Sequence, residues 1–449
     1  MSQKGFAHLL VLLILFLGLL SGLYLVQHPQ VFKPRAQENP ISSYNKILEV
    51  ALLYDESLSP SVQISKVEVK NGFAPKYFPE NQGYTLQVLD TGNNLIQSLI
   101  FNVPNKIPDP PPLDPSQQSS EVILKKINFV ITLPFSSSAA NVQVISPEGA
   151  VIDSRIIEAA VTNNQISAGM AADRASGKLN IAFISEGYSD MNQFHSDVDK
   201  FKANLLTYEP FKSRASQIQF NNIDNSDDLG CYRWPGMDRL LVCDNGKVLE
   251  KVNNSGTPYD QVAVIVNDSN YGGSGGSGVP VAYNGEWGAQ IFVHELGHSL
   301  GNLYDEYVLY SGGDANNLLN RNCYESSPST EVWPDTDTSQ YRKECKYENW
   351  YRSSPTSIMR DITIRFFNPA SMALLNERLD YFAGPAPTPT PSPSVISIPT
   401  PTVCRSVDCE PPKGCYFTGP HLYTSCDPNV APTCGSRVCP SPTPTPKSN

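Results

Sequence analysis

Ala289-Gln-Ile-Phe-Val-His294-Glu295-Leu-Gly-His298-Ser-Leu-Gly301-Asn-Leu-Tyr304-Asp305-Glu306-Tyr307 is the stretch whose reading decides the fold. His294 and His298 are i and i+4, so on a helix both imidazoles leave one face and can grip one metal ion. Glu295 stands beside the first, where a carboxylate can take a proton from metal-activated water. The apolar run Ala289–Val293 predicts a buried helix rather than a solvated one. Gly301 follows at a position suited to ending that helix in a left-handed turn.

Two neutral histidines, one further protein ligand and a water form the donor set of catalytic zinc. The 449-residue chain has six histidines: His8, His28, His195, His294, His298 and His421. His8 lies in an apolar N-terminal segment, with His28 just after it, and His421 sits in a cysteine-rich tail. His195 falls on a predicted helix beside the apolar stripe Met191, Phe194, Val198, Phe201 and Leu205, and reads as an ordinary helix-surface residue. The third ligand is therefore expected to be a carboxylate, Asp305 in preference to Glu306. The other of the two would orient a ligand histidine.

HExxHxxG resembles the metzincin clan, whose zinc helix ends at such a glycine before a third ligand. The usual third-ligand position of that clan is Tyr304 here, one residue short of Asp305. The whole stretch from His294 to Tyr307 resembles the IgA-peptidase family of metallopeptidases. So do Asn180-Ile-Ala-Phe-Ile-Ser-Glu-Gly-Tyr188 and Val266-Asn-Asp-Ser-Asn-Tyr-Gly-Gly-Ser-Gly-Gly276. Ser357-Ile-Met359-Arg360 sits where a metzincin Met-turn would be, and the resemblance implies that Met359 packs beneath the metal ligands. It extends over residues 165–385 and implies a peptide-bond substrate. Tyr304, Tyr307 and Tyr310 are candidates for contacting a substrate or its transition state, and the sequence does not rank them.

Around this core the chain reads as multidomain. Phe6 to Val26 is almost unbroken apolar sequence, close to the ~20 residues that span a bilayer. Residues 1–27 are read as an uncleaved transmembrane anchor, with everything after it outside the membrane. A spacer, 28–45, precedes an all-β region, 46–162, with strands at Ile47–Ala51, Val62–Val69, Tyr84–Leu89 and Val122–Leu133. Asp90-Thr-Gly92 and Pro147-Glu-Gly149 are turn signals in this region. An antiparallel sandwich of immunoglobulin type is expected, acting as a spacer or binding module. Pro104 to Pro115 is expected to be an exposed loop within it.

Residues 163–384 read as an α/β (α+β) metzincin-like catalytic domain. Strands are expected at Leu179–Ile184, Gln217–Ile223 and Gln261–Val266. A helix capped by Ser189 is expected to run to about Leu206. The run Tyr271 to Gly278 lacks any phosphate-binding pattern and reads as a mobile or plain surface loop near the cleft. A Pro/Thr linker (385–403), a small disulfide-rich module (404–440) and a Pro/Thr tail (441–449) complete the chain.

Ten cysteines suit an exported protein, and Cys231 with Cys243 and Cys323 with Cys345 lie close in sequence. Asp224-Asn-Ser-Asp-Asp228 is a weak candidate for calcium, without EF-hand spacing. A net charge of −11 argues against a nucleic-acid surface. The expected function is a membrane-anchored, extracytoplasmic zinc metalloendopeptidase. The alternative is a cell-surface adhesion protein whose peptidase domain is weak or inactive.

Overall fold

The computed structural model describes residues 45–113, 119–158, 177–275, 278–311, 322–325, 333 and 336–387, with four short strands beyond. The expected anchor at 1–27 and the six cysteines from Cys404 to Cys439 lie outside the described residues. Among the described residues no helix is long and apolar enough to cross a membrane. The chain divides into two compact units, Met1–Ala386 and Pro387–Asn449. In the second, Arg405–Asp408 pairs antiparallel with Leu422–Ser425, and Tyr416–Phe417 with Arg437–Val438.

The first unit begins with two antiparallel sheets. In one, Asn45–Asp55 lies between Val62–Gly72 and Lys126–Pro134. The other runs in the order Leu95–Phe101, Tyr84–Leu89, Asn141–Ile145, Val151–Ile156. Alternate residues point to one face of a strand. Leu48, Val50, Leu52, Phe129 and Ile131 of the first sheet therefore share a buried core with Leu86, Val88, Val142 and Val144 of the second. The result is a two-sheet sandwich.

Two expectations for this region change. The run Val122–Leu133 is not one strand. Glu121–Ile123 pairs with Lys106–Pro108 in a separate two-stranded ribbon, and the chain then re-enters the sandwich as Lys126–Pro134. Nor is Pro104–Pro115 an exposed loop throughout, because Ile107 to Pro111 are buried. The reason lies in what they pack against, described below.

The catalytic region is a mixed 7-stranded sheet. Its order is Ile218–Ile223, Leu179–Glu186, Gln261–Val266, Val281–Tyr283, Gly273–Ser274, Met237–Val242, Tyr232–Trp234. Leu179–Glu186 is parallel to both its neighbours and buried along nearly its whole length, as a continuous Val/Ile/Leu-type run requires. The helix Met191–Leu205 starts one residue later than expected: Asp190 is the cap, accepting from the Asn192 amide. Its stripe Phe194, Val198, Phe201 and Leu205 packs inward. Phe201 and Phe183 both meet Phe292 of the motif helix, with ring centroids 5.8 and 5.1 Å apart. Disulfides join Cys231 to Cys243 and Cys323 to Cys345.

The sandwich and the catalytic sheet meet through the helix Asn245–Ser255. Asn253 donates to Glu49 (2.7 Å) and Thr132 (3.0 Å) of the sandwich, and Glu49 is paired with Lys70 at 2.6 Å. All four side chains are buried. A buried polar group left without its partner costs roughly 1–3 kcal/mol, so such a network fixes the contact in one arrangement.

Candidate metal centre and active site

The apolar run before the motif becomes the helix Gly288–Ser299, buried on every side from Gln290 to His298. His294 Nδ1 lies 2.9 Å from the Ile358 carbonyl, and His298 Nδ1 lies 2.7 Å from that of Leu303. A carbonyl can only accept, so each Nδ1 carries the proton and each Nε2 presents a lone pair. Those two Nε2 atoms face each other at 3.2 Å. Asp305 Oδ1 stands 3.1 Å from one and 3.2 Å from the other, buried and without a hydrogen-bond donor among the described residues.

Three such atoms cannot sit this close, out of water, without a cation or a shared proton between them. Tetrahedral zinc with bonds of about 2.0–2.1 Å separates its ligand atoms by roughly 3.3 Å, so this donor set fits the ion. Burial works to raise the Asp305 carboxyl, yet the two histidines outweigh it and hold it well below its ordinary range.

Glu306 faces the other way. Its carboxylate accepts from Ser357 (2.6 Å), Asn368 (2.6 Å), Ser371 (3.2 Å) and Asn322 (3.4 Å), all in a fully buried pocket. Its backbone amide donates to the Met359 carbonyl at 2.9 Å. One carboxylate thus ties the loop carrying Asp305 to the Ser357–Arg360 turn, the helix Pro369–Ala383 and the Cys323 loop.

That turn carries Met359, which is fully buried. A Cβ built on Gly297 would stand 2.7 Å from Met359 Sδ, so the sulfur packs directly on the helix between the two histidines. Gly301 has a different reason from the one expected. Its φ is not left-handed; the residue with positive φ is Asn302, at 50°. A Cβ on Gly301 would meet the Gly297 carbonyl oxygen at 2.7 Å and Leu303 and Leu375 at 2.9 Å. Close approach, not a left-handed turn, requires the glycine.

Glu295 is fully buried beside the first histidine, and neither of its carboxylate oxygens has a hydrogen-bond partner among the described residues. Burial pushes its pKa up to about 8, His294 opposing, with Asp305 and Asp109 adding to the rise. The glycine-rich run reaches it. Gly273–Ser274 is a buried strand rather than a surface loop, and a Cβ on Gly275 would meet Glu295 Oε2 at 2.6 Å. Residues 276–277 of that run lie outside the described residues.

The tyrosines separate. Tyr304 packs on Trp350 under the Lys346 ammonium, which lies 4.0 Å from its ring. Tyr310 donates to Glu121 at 2.6 Å. Tyr307 is the one that turns to the metal face, its hydroxyl buried near Asp305 and donating to the Asp109 carbonyl at 2.8 Å. His195 pairs on the surface with Asp224, 2.7 Å away. Asp227 and Asp228 pair with Lys251 and Lys247, so these carboxylates point at separate partners rather than at one cation.

Sequence reasoning missed Asp109, Arg239 and Tyr271. Asp109 pairs with Arg239 at 2.5 Å, and Tyr271 donates to the Pro111 carbonyl at 2.5 Å. These contacts bury the proline-rich segment against the site. On the other side, a cavity of about 490 Å³ touches both His298 and Asp305, and Tyr54, Asn102 and Asn105 of the β region form its far wall. The only signal in the sequence was the position of Tyr271 at the head of the glycine run.

Residues 220–354, less than half of the chain, match the family model described as IgA Peptidase M64. The stretch includes the motif helix, Asp305 and Glu306, and makes this region that of a zinc metallopeptidase. Met359 lies just beyond it. No curated protein matches the chain. Among solved structures, archaemetzincin from Methanopyrus kandleri is similar at 13% identity, covering 46% of this chain and 98% of its own. Its TM-score is 0.24.

Proposed function

We propose that the protein is an extracytoplasmic zinc metalloendopeptidase in which His294, His298 and Asp305 hold the metal and Glu295 is the general base. The single observation that carries this reading is the convergence of three potential donor atoms at 3.1–3.2 Å beside a buried carboxylate with no hydrogen-bond partner among the described residues. Zinc, when bound, acidifies its water and polarises the scissile carbonyl. Glu295 takes the proton from the attacking water and passes it to the leaving amine. It can do so because none of the described residues holds its oxygens.

Ile358 and Leu303 fix the histidine tautomers through their carbonyls. Met359 supplies an apolar floor, and Glu306 is a positioning residue for the loop that carries Asp305. The apolar run Phe6–Val26 and the disulfides support a membrane-anchored, outward-facing location. The paired sheets support reading the β region as an immunoglobulin-type sandwich. The adhesion alternative lacks a comparable observation, because a pure binding protein has no use for a buried Glu295 without a partner among the described residues.

The test is cleavage of casein or a peptide library by the full-length chain, with and without a chelator. Cleavage that stops on chelation and returns with zinc supports the reading. Zinc-loaded protein that cleaves none of these substrates counts against it.

A further inference from the structure

The metal face is closed on the side of Glu295 by a piece of the chain's own β region. The ribbon Lys106–Pro108 and Glu121–Ile123 projects Asp109, Pro110 and Pro111 into the catalytic region, where all three are buried. Its stem is held at Glu121, which accepts from Tyr310 at 2.6 Å and pairs with Lys346 at 3.2 Å. The Asp109 carboxylate is held by Arg239 and by the Ser120 amide at 2.8 Å. Two of the segment's backbone carbonyls are each taken by a tyrosine. Tyr307 donates to the Asp109 carbonyl at 2.8 Å, and Tyr271 to that of Pro111 at 2.5 Å.

Both tyrosines belong to the metal site. Tyr307 follows Asp305 by two residues. Tyr271 heads the run whose Gly275 lies against Glu295. A hydroxyl that donates to a backbone carbonyl ignores side-chain identity, which is what holding a peptide of varied sequence requires. The segment that fills these hydroxyls carries Pro110, Pro111 and Pro112 in succession. Prolines fix φ near −65° and provide no N–H, so the segment stays extended and offers little for a neighbouring strand to pair with. Such a segment can be held by its carbonyls alone and released when they are let go.

We propose that Tyr271 and Tyr307 hold the backbone carbonyls of a peptide substrate beside Glu295, and that Asp109–Pro111 fills these two positions in the closed molecule as a tethered occupant. The proposal rests on the peptidase reading above. Substrate binding on the Glu295 side requires the segment to leave, so the β region governs access to that side of the metal as well as standing beside it.

The experiment uses the full-length, zinc-loaded chain and two readouts. One is the rate at which 1,10-phenanthroline extracts the zinc; the other is kcat/KM on an internally quenched peptide. Two sets of variants are compared. The occupant is loosened by replacing Pro110, Pro111 and Pro112 together with alanine, and separately by Asp109→Asn, which keeps the side chain's size and carries the test if the triple variant does not fold. The holding groups are removed by Tyr271→Phe and Tyr307→Phe.

Loosening the occupant is expected to speed zinc extraction and raise kcat/KM, each by about tenfold, the scale of one or two lost hydrogen bonds. The tyrosine variants are expected to speed extraction while lowering kcat/KM, because they release the segment and also lose their grip on substrate. That opposition between the two sets is not what general damage to the site produces. The proposal is overturned if both occupant variants stay within about twofold of the wild type on both readouts, or lose kcat/KM. If no variant and no wild-type sample hydrolyses peptide, the peptidase reading fails, and the extraction rates still decide whether the segment covers the metal.

Discussion

Asp305 and Glu306 are chain neighbours that face opposite ways: the first turns its Oδ1 to within 3.1 and 3.2 Å of the two histidines, the second accepts four hydrogen bonds in a separate buried pocket. They should therefore fail differently. Asp305→Ala is expected to weaken zinc binding beyond the roughly 10–100-fold typical of a residue that only orients a ligand. Glu306→Ala removes the acceptor that Ser357, Asn368 and Ser371 share in that pocket, while Asn322 keeps the Tyr304 carbonyl, and should cost about 3 kcal/mol or more of stability. Zinc titration and thermal unfolding of the two variants check this. Equal zinc affinity for Asp305→Ala and wild type would show that the assignment is wrong.

The contact between Gly297 and Met359 predicts a coupling. Adding a methyl at Gly297 pushes on the Met359 sulfur, a forced displacement in a packed core, and should cost about 1–3 kcal/mol in the wild type. Met359→Ala alone leaves a cavity and should cost about 2–5 kcal/mol. Once the sulfur is gone, only Phe367 Cε1, at 3.2 Å, still crowds the added methyl, and alanine is the better helix former by up to about 1 kcal/mol. A double-mutant cycle on unfolding free energy reads the interaction directly. Additive losses would mean that Met359 does not pack on the helix as described.

Acid and base should act oppositely on the metal-free and zinc-loaded forms. Burial tends to lower the pKa of His298, but the Asp305 carboxylate beside it raises it above its ordinary value. A raised histidine contributes stability that is fully present below its unfolded pKa of about 6.5 and lost as pH rises through the folded value. In chelated protein, the melting-temperature gap between wild type and Asp305→Asn should therefore narrow from pH 6 to pH 9. Zinc needs both rings deprotonated, so its retention should rise over the same range and fall in acid. A gap that widens toward alkaline pH would contradict the assigned pairing.

Much of this site could be read in the sequence because it is local. The i, i+4 histidines and the apolar run before them belong to one helix, and helical periodicity survives tertiary context. Scarcity of histidine leaves Asp305 and Glu306 as the nearest third-ligand candidates. Which of the two faces the metal depends on the loop after Leu303 and on Ser357, Asn368 and Ser371, more than fifty residues away, so no local pattern decides it. Gly301 shows the same limit: the need for glycine was legible, but its cause is Leu375 and the Gly297 carbonyl rather than a left-handed turn. Asp109 was invisible because a proline-rich run between strands looks alike whether it meets solvent or Arg239.

The central claim is that Glu295 moves the proton while the other three residues hold the metal, and Glu295→Gln tests it most directly. The substitution keeps the side chain's shape and removes its ability to accept a proton. Zinc content by elemental analysis should equal that of the wild type, while peptide hydrolysis under saturating zinc falls by at least about 10²–10⁴-fold, the usual contribution of a positioned base. A Glu295→Gln protein that binds zinc and still cleaves at the wild-type rate would contradict the account.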